Sequence, residues 1–148
     1  MKIAIASDHA GYPLKAALVE RLGLEHQVED LGTSDTRSVD YPVFAEKVAH
    51  AVQEGTADRG ILICGTGIGM AITANKVQGI RACVVHDVYS ARAAVEHNDL
   101  NVLTMGGRVI GVELAWSIVQ AFLGARFTGG RHQRRLDLIA ALERSGTD

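Results

Sequence analysis

A glycine-rich segment in the middle of the chain, residues 60–76, restricts the possible folds more than any other part of the sequence. An apolar run at 61–64 is followed by glycines at 65, 67 and 69, and apolar residues resume at 70–74. This order predicts a buried strand, a tight turn and the start of a helix. Alternate glycines allow a ligand to approach the backbone closely, and N–H groups at a helix start attract anions. The segment therefore predicts an α/β fold with an anion-binding turn.

Cys64 is the last residue before this turn, and two interpretations of it are open. A thiol beside a helix N-terminus ionises more readily, which would make it a useful base or nucleophile. A cysteine that ends an Ile- and Leu-rich run is also commonly a small buried hydrophobe. We give that second interpretation to Cys83, and the sequence leaves both open for Cys64.

The glycine pattern does not fit either common nucleotide-binding motif. Asp87 follows at about the twenty residues expected of a dinucleotide fingerprint, but the third glycine position falls on Met70 or Ile72, depending on where counting starts. The segment also lacks the Gly-Lys-Ser/Thr of a Walker loop. A small phosphorylated or carboxylated ligand fits the turn better than a dinucleotide.

Apolar strand patterns alternate with helical patterns along the whole chain. Strands are predicted at 2–7, 26–31, 61–64, 80–85 and 102–105, and helices at 13–22, 40–53, from about 70, 88–96, 112–123 and about 131–144. Such alternation predicts a Rossmann-like, doubly wound parallel sheet of five strands with helices on both faces. With the common strand order 2-1-3-4-5, Asp8 and His9 would lie beside Cys64 at the switch point, where such sheets bind ligands.

Size and charge restrict the classes of function. A chain of 148 residues that is 47% apolar favours one domain over residues 1–148. A formal charge of −2 suggests neither a nucleic-acid nor a membrane partner, and no apolar run is long enough to cross a bilayer. The N-terminus enters a strand pattern without a signal-peptide pattern, so a cytoplasmic protein with free thiols is expected. No spacing of His, Cys and carboxylates resembles a closed metal site, so chemistry without a metal or other cofactor is expected.

Arginines are concentrated near the C-terminus. Five of the eleven arginines follow residue 125, and Arg131 and Arg135 share a face of the predicted helix after Gly129 and Gly130. Two guanidinium groups at a helix start would hold a phosphate, and Arg108 is a further candidate. A solvated basic face is the alternative interpretation. His97 likewise has an alternative interpretation, in which it is only a favourable cation at a helix C-terminus.

Seven short segments together resemble one known family, type B ribose-5-phosphate isomerase and its relatives that isomerise other sugar phosphates. These segments occur in order over nearly the whole chain: SDHAG at 7–11, DYP at 40–42, ICGTGIG at 63–69, ANK at 74–76, HND at 97–99, GGRV at 106–109 and GGRHQ at 129–133. The resemblance implies a homodimer with shared active sites that interconverts ribose 5-phosphate and ribulose 5-phosphate.

The resemblance also implies a role for each matching residue. Cys64 matches the base that moves a proton between adjacent carbons, and Thr66 matches a support for the enediolate. Asp8 and His97 match groups that handle hydroxyl protons and ring opening. The implied substrate-binding residues are His9, Tyr41, Gly65, Gly67, Ile68, Gly69, Asn98, Arg108, Arg131, His132 and Arg135. His97, Asn98 and Arg108 are expected to reach the site from the partner subunit.

Several alternatives remain open from the sequence. One branch of the family uses a glutamate in the glycine turn, but Met70 occupies that position here, which favours the cysteine branch. Other relatives act on galactose 6-phosphate, allose 6-phosphate or tetrose phosphates. A sugar-phosphate-binding module without catalysis would need the glycines and arginines but not the thiol, and a nucleotide-dependent oxidoreductase is disfavoured by the failed fingerprint.

Overall fold

The computed structural model describes residues 1–146. Within that range, strands and helices alternate as the sequence predicts, and a final helix follows. The elements are β1 (Lys2–Ser7), α1 (Tyr12–Leu22), β2 (Gln27–Asp30), α2 (Tyr41–Gln53), β3 (Arg59–Cys64), α3 (Ile68–Ala74), β4 (Ala82–Val84), α4 (Val88–Asn98), β5 (Val102–Gly106), α5 (Val112–Gly124) and α6 (Arg131–Ser145). None of the helices in the described range is long and apolar enough to cross a membrane.

The strands form one parallel sheet in the order β2-β1-β3-β5-β4. The predicted order 2-1-3-4-5 is therefore wrong for the last two strands, because β5 lies in the interior beside β3 and β4 forms the edge. Burial explains this arrangement: every residue of β5 is buried, whereas the three residues of β4 are at least partly exposed. The prediction of a buried Cys83 is wrong for the same reason, since Cys83 lies exposed on this edge strand.

Helices cover both faces of the sheet, which confirms the doubly wound architecture. Leucines of α1 pack on one face with apolar residues of α4 and α5, around Ile5 and Ile63. Helices α2 and α3 pack on the other face against Ala4, Ala6 and Leu62. The helices that follow β1 and β3 therefore lie on opposite faces, so a crevice opens between the carboxyl ends of these two adjacent strands.

The carboxyl ends of β1 and β3 are in direct contact. Ser7 pairs with Ile63, and the Asp8 N–H donates to the Ile63 carbonyl at 3.2 Å. The chain then passes so close to β3 that a Cβ added at Gly11 would lie 2.3 Å from the Ile63 oxygen, so only glycine fits there. This contact places Asp8 next to the strand end that carries Cys64, as predicted.

The last helix, α6, lies apart from the core. None of the residues Arg131–Ser145 is buried, and Leu138, Ile139 and Leu142 are exposed. Its start is fixed to the end of α4, because the Thr128 N–H and hydroxyl both donate to the Glu96 carbonyl, at 3.0 and 2.8 Å. Gly129 and Gly130 have φ values of 66° and 59°, which turn the chain into the helix.

Candidate active site

Cys64 ends β3 and contacts the glycine turn that follows it. Its side chain is buried, and the Gly67 N–H donates to Sγ at 3.1 Å. Gly67 has φ = 82°, a left-handed conformation that glycine adopts without strain, and it immediately precedes α3. The sulfur is therefore both buried and directed at the turn, and an amide donor is in place to stabilise a thiolate.

Strand β5 supports this turn from the neighbouring position in the sheet. The Thr104 hydroxyl donates to the Gly67 carbonyl at 2.8 Å, and the Gly107 N–H donates to the Cys64 carbonyl at 2.8 Å. The Arg108 N–H donates to the Gly65 carbonyl at 3.1 Å. These bonds use carbonyl oxygens of the turn. The orientation of the turn is therefore fixed by β5, which the predicted strand order would have placed one strand further away.

Asp8 and His9 lie across the crevice from the turn, at the end of β1. Asp8 is buried, and its Oδ1 accepts the Gly11 N–H at 3.0 Å. His9 accepts the Val39 N–H on Nδ1 at 3.2 Å. A neutral imidazole that accepts on Nδ1 carries its proton on Nε2, so His9 can donate a hydrogen bond from its other nitrogen.

Tyr41 and Arg108 flank the glycine turn. A Cβ added at Gly69 would lie 2.5 Å from carbons of the Tyr41 ring, so the ring lies directly against Gly69. A Cβ added at Gly65 would lie 3.5 Å from Arg108 Nη1, so this guanidinium lies over the turn of its own chain. The expectation that Arg108 reaches the site from the partner subunit is therefore wrong. We call the residues that meet at these strand ends the carboxyl-edge group: Asp8, His9, Tyr41, Cys64, Gly65, Thr66, Gly67, Ile68, Gly69 and Arg108.

The remaining predicted site residues gather around the start of α6. The His97 and His132 rings stack with centroids 4.5 Å apart and an interplanar angle of 18°. Partial desolvation lowers the pKa of His132 from its usual value, and the positive charges of His97, Arg131 and Arg135 lower it further. We call this second set the His97 group: His97, Asn98, Arg131, His132 and Arg135. The neighbouring cationic groups disfavour the charged form of His132, and a bound anion would offset that repulsion.

One chain does not bring these two groups together. Cys64 and Gly106 pair at the carboxyl ends of β3 and β5, whereas Gly60 pairs with Val102 at the other end of these strands. His97 precedes Val102 closely and lies at the end of α4, which runs back from the carboxyl edge. Four residues of strand span about 13 Å, so the His97 group lies near the amino ends of β3 and β5, at the opposite end of the strands from Cys64.

One supporting residue, His86, is not among the candidates named from the sequence. His86 Nε2 accepts the Gly106 N–H at 2.9 Å, just beyond the point where the β4–β5 pairing ends at Val84 and Thr104. The imidazole thus replaces a strand carbonyl and holds the end of β5 against the turn. Its position directly after a strand, at the edge where ligands bind, is the signal that could have identified it.

The described residues contain no group of three or more His, Cys, Asp and Glu side chains that could hold a metal ion.

Comparison with known proteins identifies the family. Residues 3–139 match the family described as Ribose/Galactose Isomerase. The chain belongs to the ribose/galactose isomerase family. Ribose-5-phosphate isomerase B of Escherichia coli is 52% identical over 144 residues, which cover 96% of each chain. This family membership confirms the resemblance found in the sequence and the prediction of an isomerase.

Solved structures of isomerases in this family share the fold. The structure of Clostridium thermocellum ribose-5-phosphate isomerase B is 51% identical, with a TM-score of 0.97 over 98% of this chain and 99% of that one. Another relative has a different substrate in its name: D-erythrulose-4-phosphate isomerase 2 of Mycolicibacterium smegmatis is 48% identical over 133 residues, 86% of each chain. Similarity of this kind therefore establishes the isomerase family but leaves the choice of sugar phosphate open.

Proposed function

We propose that this protein is a cytoplasmic aldose–ketose isomerase that interconverts ribose 5-phosphate and ribulose 5-phosphate, with Cys64 as the base and without a metal. The observation that carries the proposal is the position of the Cys64 sulfur. It accepts an amide N–H from the glycine turn, in the crevice that also holds Asp8. A single thiolate can remove the proton from C2 of the open aldose and return it to C1.

The glycine turn would stabilise the intermediate of this proton transfer. When the C2 proton leaves, the electron pair forms a double bond between C1 and C2, and negative charge develops on O1. O1 then takes up a proton and the O2 hydroxyl gives one up as the thiol returns its proton to C1, which leaves the C2 carbonyl of the ketose. The first amides of α3 have no carbonyl partner within the helix, and Thr66 offers a hydroxyl beside them. Fixed donors aimed at a developing oxyanion are among the largest contributors to catalysis.

The closed sugar must open before this transfer, which requires a second pair of proton-transfer groups. Ring opening moves the O1 proton to a base and returns a proton to the ring oxygen. Asp8 and His97 are proposed for these steps, with Asn98 on a sugar oxygen. Asp8 suits the role because Gly11 fixes one carboxylate oxygen and the other remains available.

The cationic side chains are proposed to bind the phosphate at the far end of the sugar. Arg131 and Arg135 project from the first turns of α6 beside His132, and His9 and Arg108 approach from the carboxyl-edge group. Phosphate binding remote from the reacting carbons would hold C1 and C2 in position at the sulfur. The lowered pKa of His132 agrees with this assignment, because the positive charges of His97, Arg131 and Arg135 contribute to it beside desolvation.

We infer that the complete site forms between two copies of the chain. The carboxyl-edge group and the His97 group lie near opposite edges of one sheet, so a partner's His97 group would complete the site. Exposed apolar side chains also lie on segments that follow the carboxyl ends of the strands, and association would bury them: Tyr41, Ile68, Ile72, Val88, Tyr89 and Val109.

Substrate preference is the direct test of the proposed function. We expect kcat/KM to be highest for ribose 5-phosphate in a panel that also contains allose 6-phosphate, galactose 6-phosphate and D-erythrulose 4-phosphate. A higher value for one of the others would replace the substrate but keep the reaction. Absence of turnover and of proton exchange between solvent and every bound sugar phosphate would instead indicate a binding module.

Proton uptake on binding should report the charge around His132. Because desolvation and neighbouring positive charges lower its pKa, less of the free imidazole is protonated than in an ordinary histidine at the same pH, and a bound phosphate would raise that pKa again. We therefore expect binding near pH 6 to take up more protons in the wild type than in His132→Asn. Titration calorimetry in buffers of different ionisation enthalpy measures the difference.

His50→Asn is the matched control, since His50 is an exposed histidine that pairs with Glu46 on α2. It should behave as the wild type does. Equal proton uptake in the wild type and His132→Asn would place the phosphate elsewhere.

A further inference from the structure

A buried lysine lies beside the carboxyl ends of β1 and β2. Lys15 on α1 is 1% exposed. Its ammonium lies 2.7 Å from Asp30 Oδ1, donates to the Thr33 carbonyl, and lies 5.5 Å from the centroid of the Tyr12 ring. Burying an ammonium is costly, and an apolar residue at such a position is often no less stable. Stability alone therefore does not explain why a charged residue occupies this buried position.

The partners of Lys15 belong to one short segment that leaves the sheet. Asp30 is the last residue of β2, and the carboxylate oxygen that meets Lys15 also accepts the Gly32 N–H at 3.0 Å. Backbone bonds fasten the same segment to the end of β1: the Ser7 N–H donates to the Gly32 carbonyl at 2.7 Å, and the Thr33 N–H donates to the Ser7 carbonyl at 2.9 Å. Lys15 thus fixes residues 30–33, and these residues are bonded to Ser7, which directly precedes Asp8.

The segment then continues as a loop, residues 33–40, that touches the site at two places. Val39 donates its N–H to His9 Nδ1, which sets the orientation of that imidazole. Residue 40 leads into α2, whose first residue, Tyr41, lies against Gly69 of the turn. A displacement of the first residues of this loop would therefore shift both His9 and Tyr41.

We propose that Lys15 is a positioning residue of the active site. It does not reach the substrate; it anchors the start of the 33–40 loop and thereby holds His9 and Tyr41 in place. The inference rests on the proposed function for its effect on catalysis, while the anchoring itself is a property of the fold. An ammonium suits the task because it binds a carboxylate and a carbonyl at the same time.

Lys15→Met tests this role, because it keeps the length and apolar stem of the side chain and removes the charge. We expect hydrogen exchange of the amides in 33–39 to accelerate at least roughly tenfold, with little change in the turn at 65–69. We also expect KM for the sugar phosphate to rise roughly tenfold and kcat to change by less than about threefold, because His9 and Tyr41 act on binding. Lys15→Arg, which restores both donors, should recover part of each effect.

Arg21→Met is the matched control, since Arg21 lies on the same helix and pairs with Glu113 at the surface. It should leave exchange in the loop and KM unchanged. If Lys15→Met does not fold, Asp30→Asn removes the ion pair at a partly exposed site and should give the same loop exchange. Unchanged loop exchange in a folded variant, or a KM change no larger than in Arg21→Met, would overturn the inference. An inactive wild type would defeat the proposed function instead and leave the exchange result standing.

Discussion

Replacing Cys64 with alanine is expected to lower kcat roughly 10³-fold, because a positioned general base contributes about 10²- to 10⁴-fold. Cys64 ends β3 with a sulfur that can accept a proton, and in the variant the Gly67 amide that donates to this sulfur loses its acceptor. Affinity for the sugar phosphate should change by less than about threefold, since the proposed phosphate contacts lie elsewhere. Steady-state kinetics and titration calorimetry measure the two quantities separately.

Cys83→Ala is the matched control for this experiment. Cys83 is the other cysteine of the chain and lies exposed on the edge strand β4, so its loss should leave both kcat and KM unchanged. Wild-type turnover in Cys64→Ala would remove the thiol from the mechanism. Loss of both turnover and binding in a folded variant would make Cys64 a structural residue of the turn.

The second large effect concerns the separation of the two residue groups within one chain. Cys64→Ala and His97→Asn should each be nearly inactive alone, and mixing them with subunit exchange should restore about a quarter of wild-type activity. Random exchange makes half of the dimers mixed, and one of the two sites in each mixed dimer then has both an intact Cys64 and an intact His97. Activity is measured after the mixture has equilibrated.

A second mixture distinguishes shared sites from a general effect of mixing. Asp8 belongs to the same carboxyl-edge group as Cys64, so a mixture of Cys64→Ala with Asp8→Asn contains no site in which both residues are intact. No recovery is expected from it. Equal recovery in the two mixtures would indicate a general effect of mixing. No recovery in the first mixture despite verified subunit exchange would show that each chain works alone.

Much of the fold could be predicted from local patterns. Apolar runs and helical spacing predicted the alternation of strands and helices. The adjacency of β1 and β3 followed from the usual connections between strands in parallel sheets. The order of β4 and β5 could not be predicted in this way, because a local pattern indicates that a strand is buried but not which neighbouring strand buries it. The uniformly apolar β5, buried along its whole length, carried a hint that it was the interior strand of the pair.

The carboxyl-edge group was largely predictable, since its members other than Tyr41 lie at or shortly after the carboxyl ends of β1, β3 and β5. The supports behind it were not. Lys15 falls on the same helical face as Leu18 and Leu22, which pack into the core, and a charge on such a face signals a partner of opposite charge. That partner, Asp30, is fifteen residues away on another element, and no local rule connects the two.

The separation of the carboxyl-edge group from the His97 group within one chain also bears on how the rate would depend on enzyme concentration. With sites assembled from two chains, an isolated chain would be correctly folded yet catalytically silent. Turnover per chain would then fall on dilution below the dissociation constant of the pair, while the circular dichroism spectrum stayed the same. The strength of self-association, rather than the stability of the sheet, would set the lowest concentration at which this protein works.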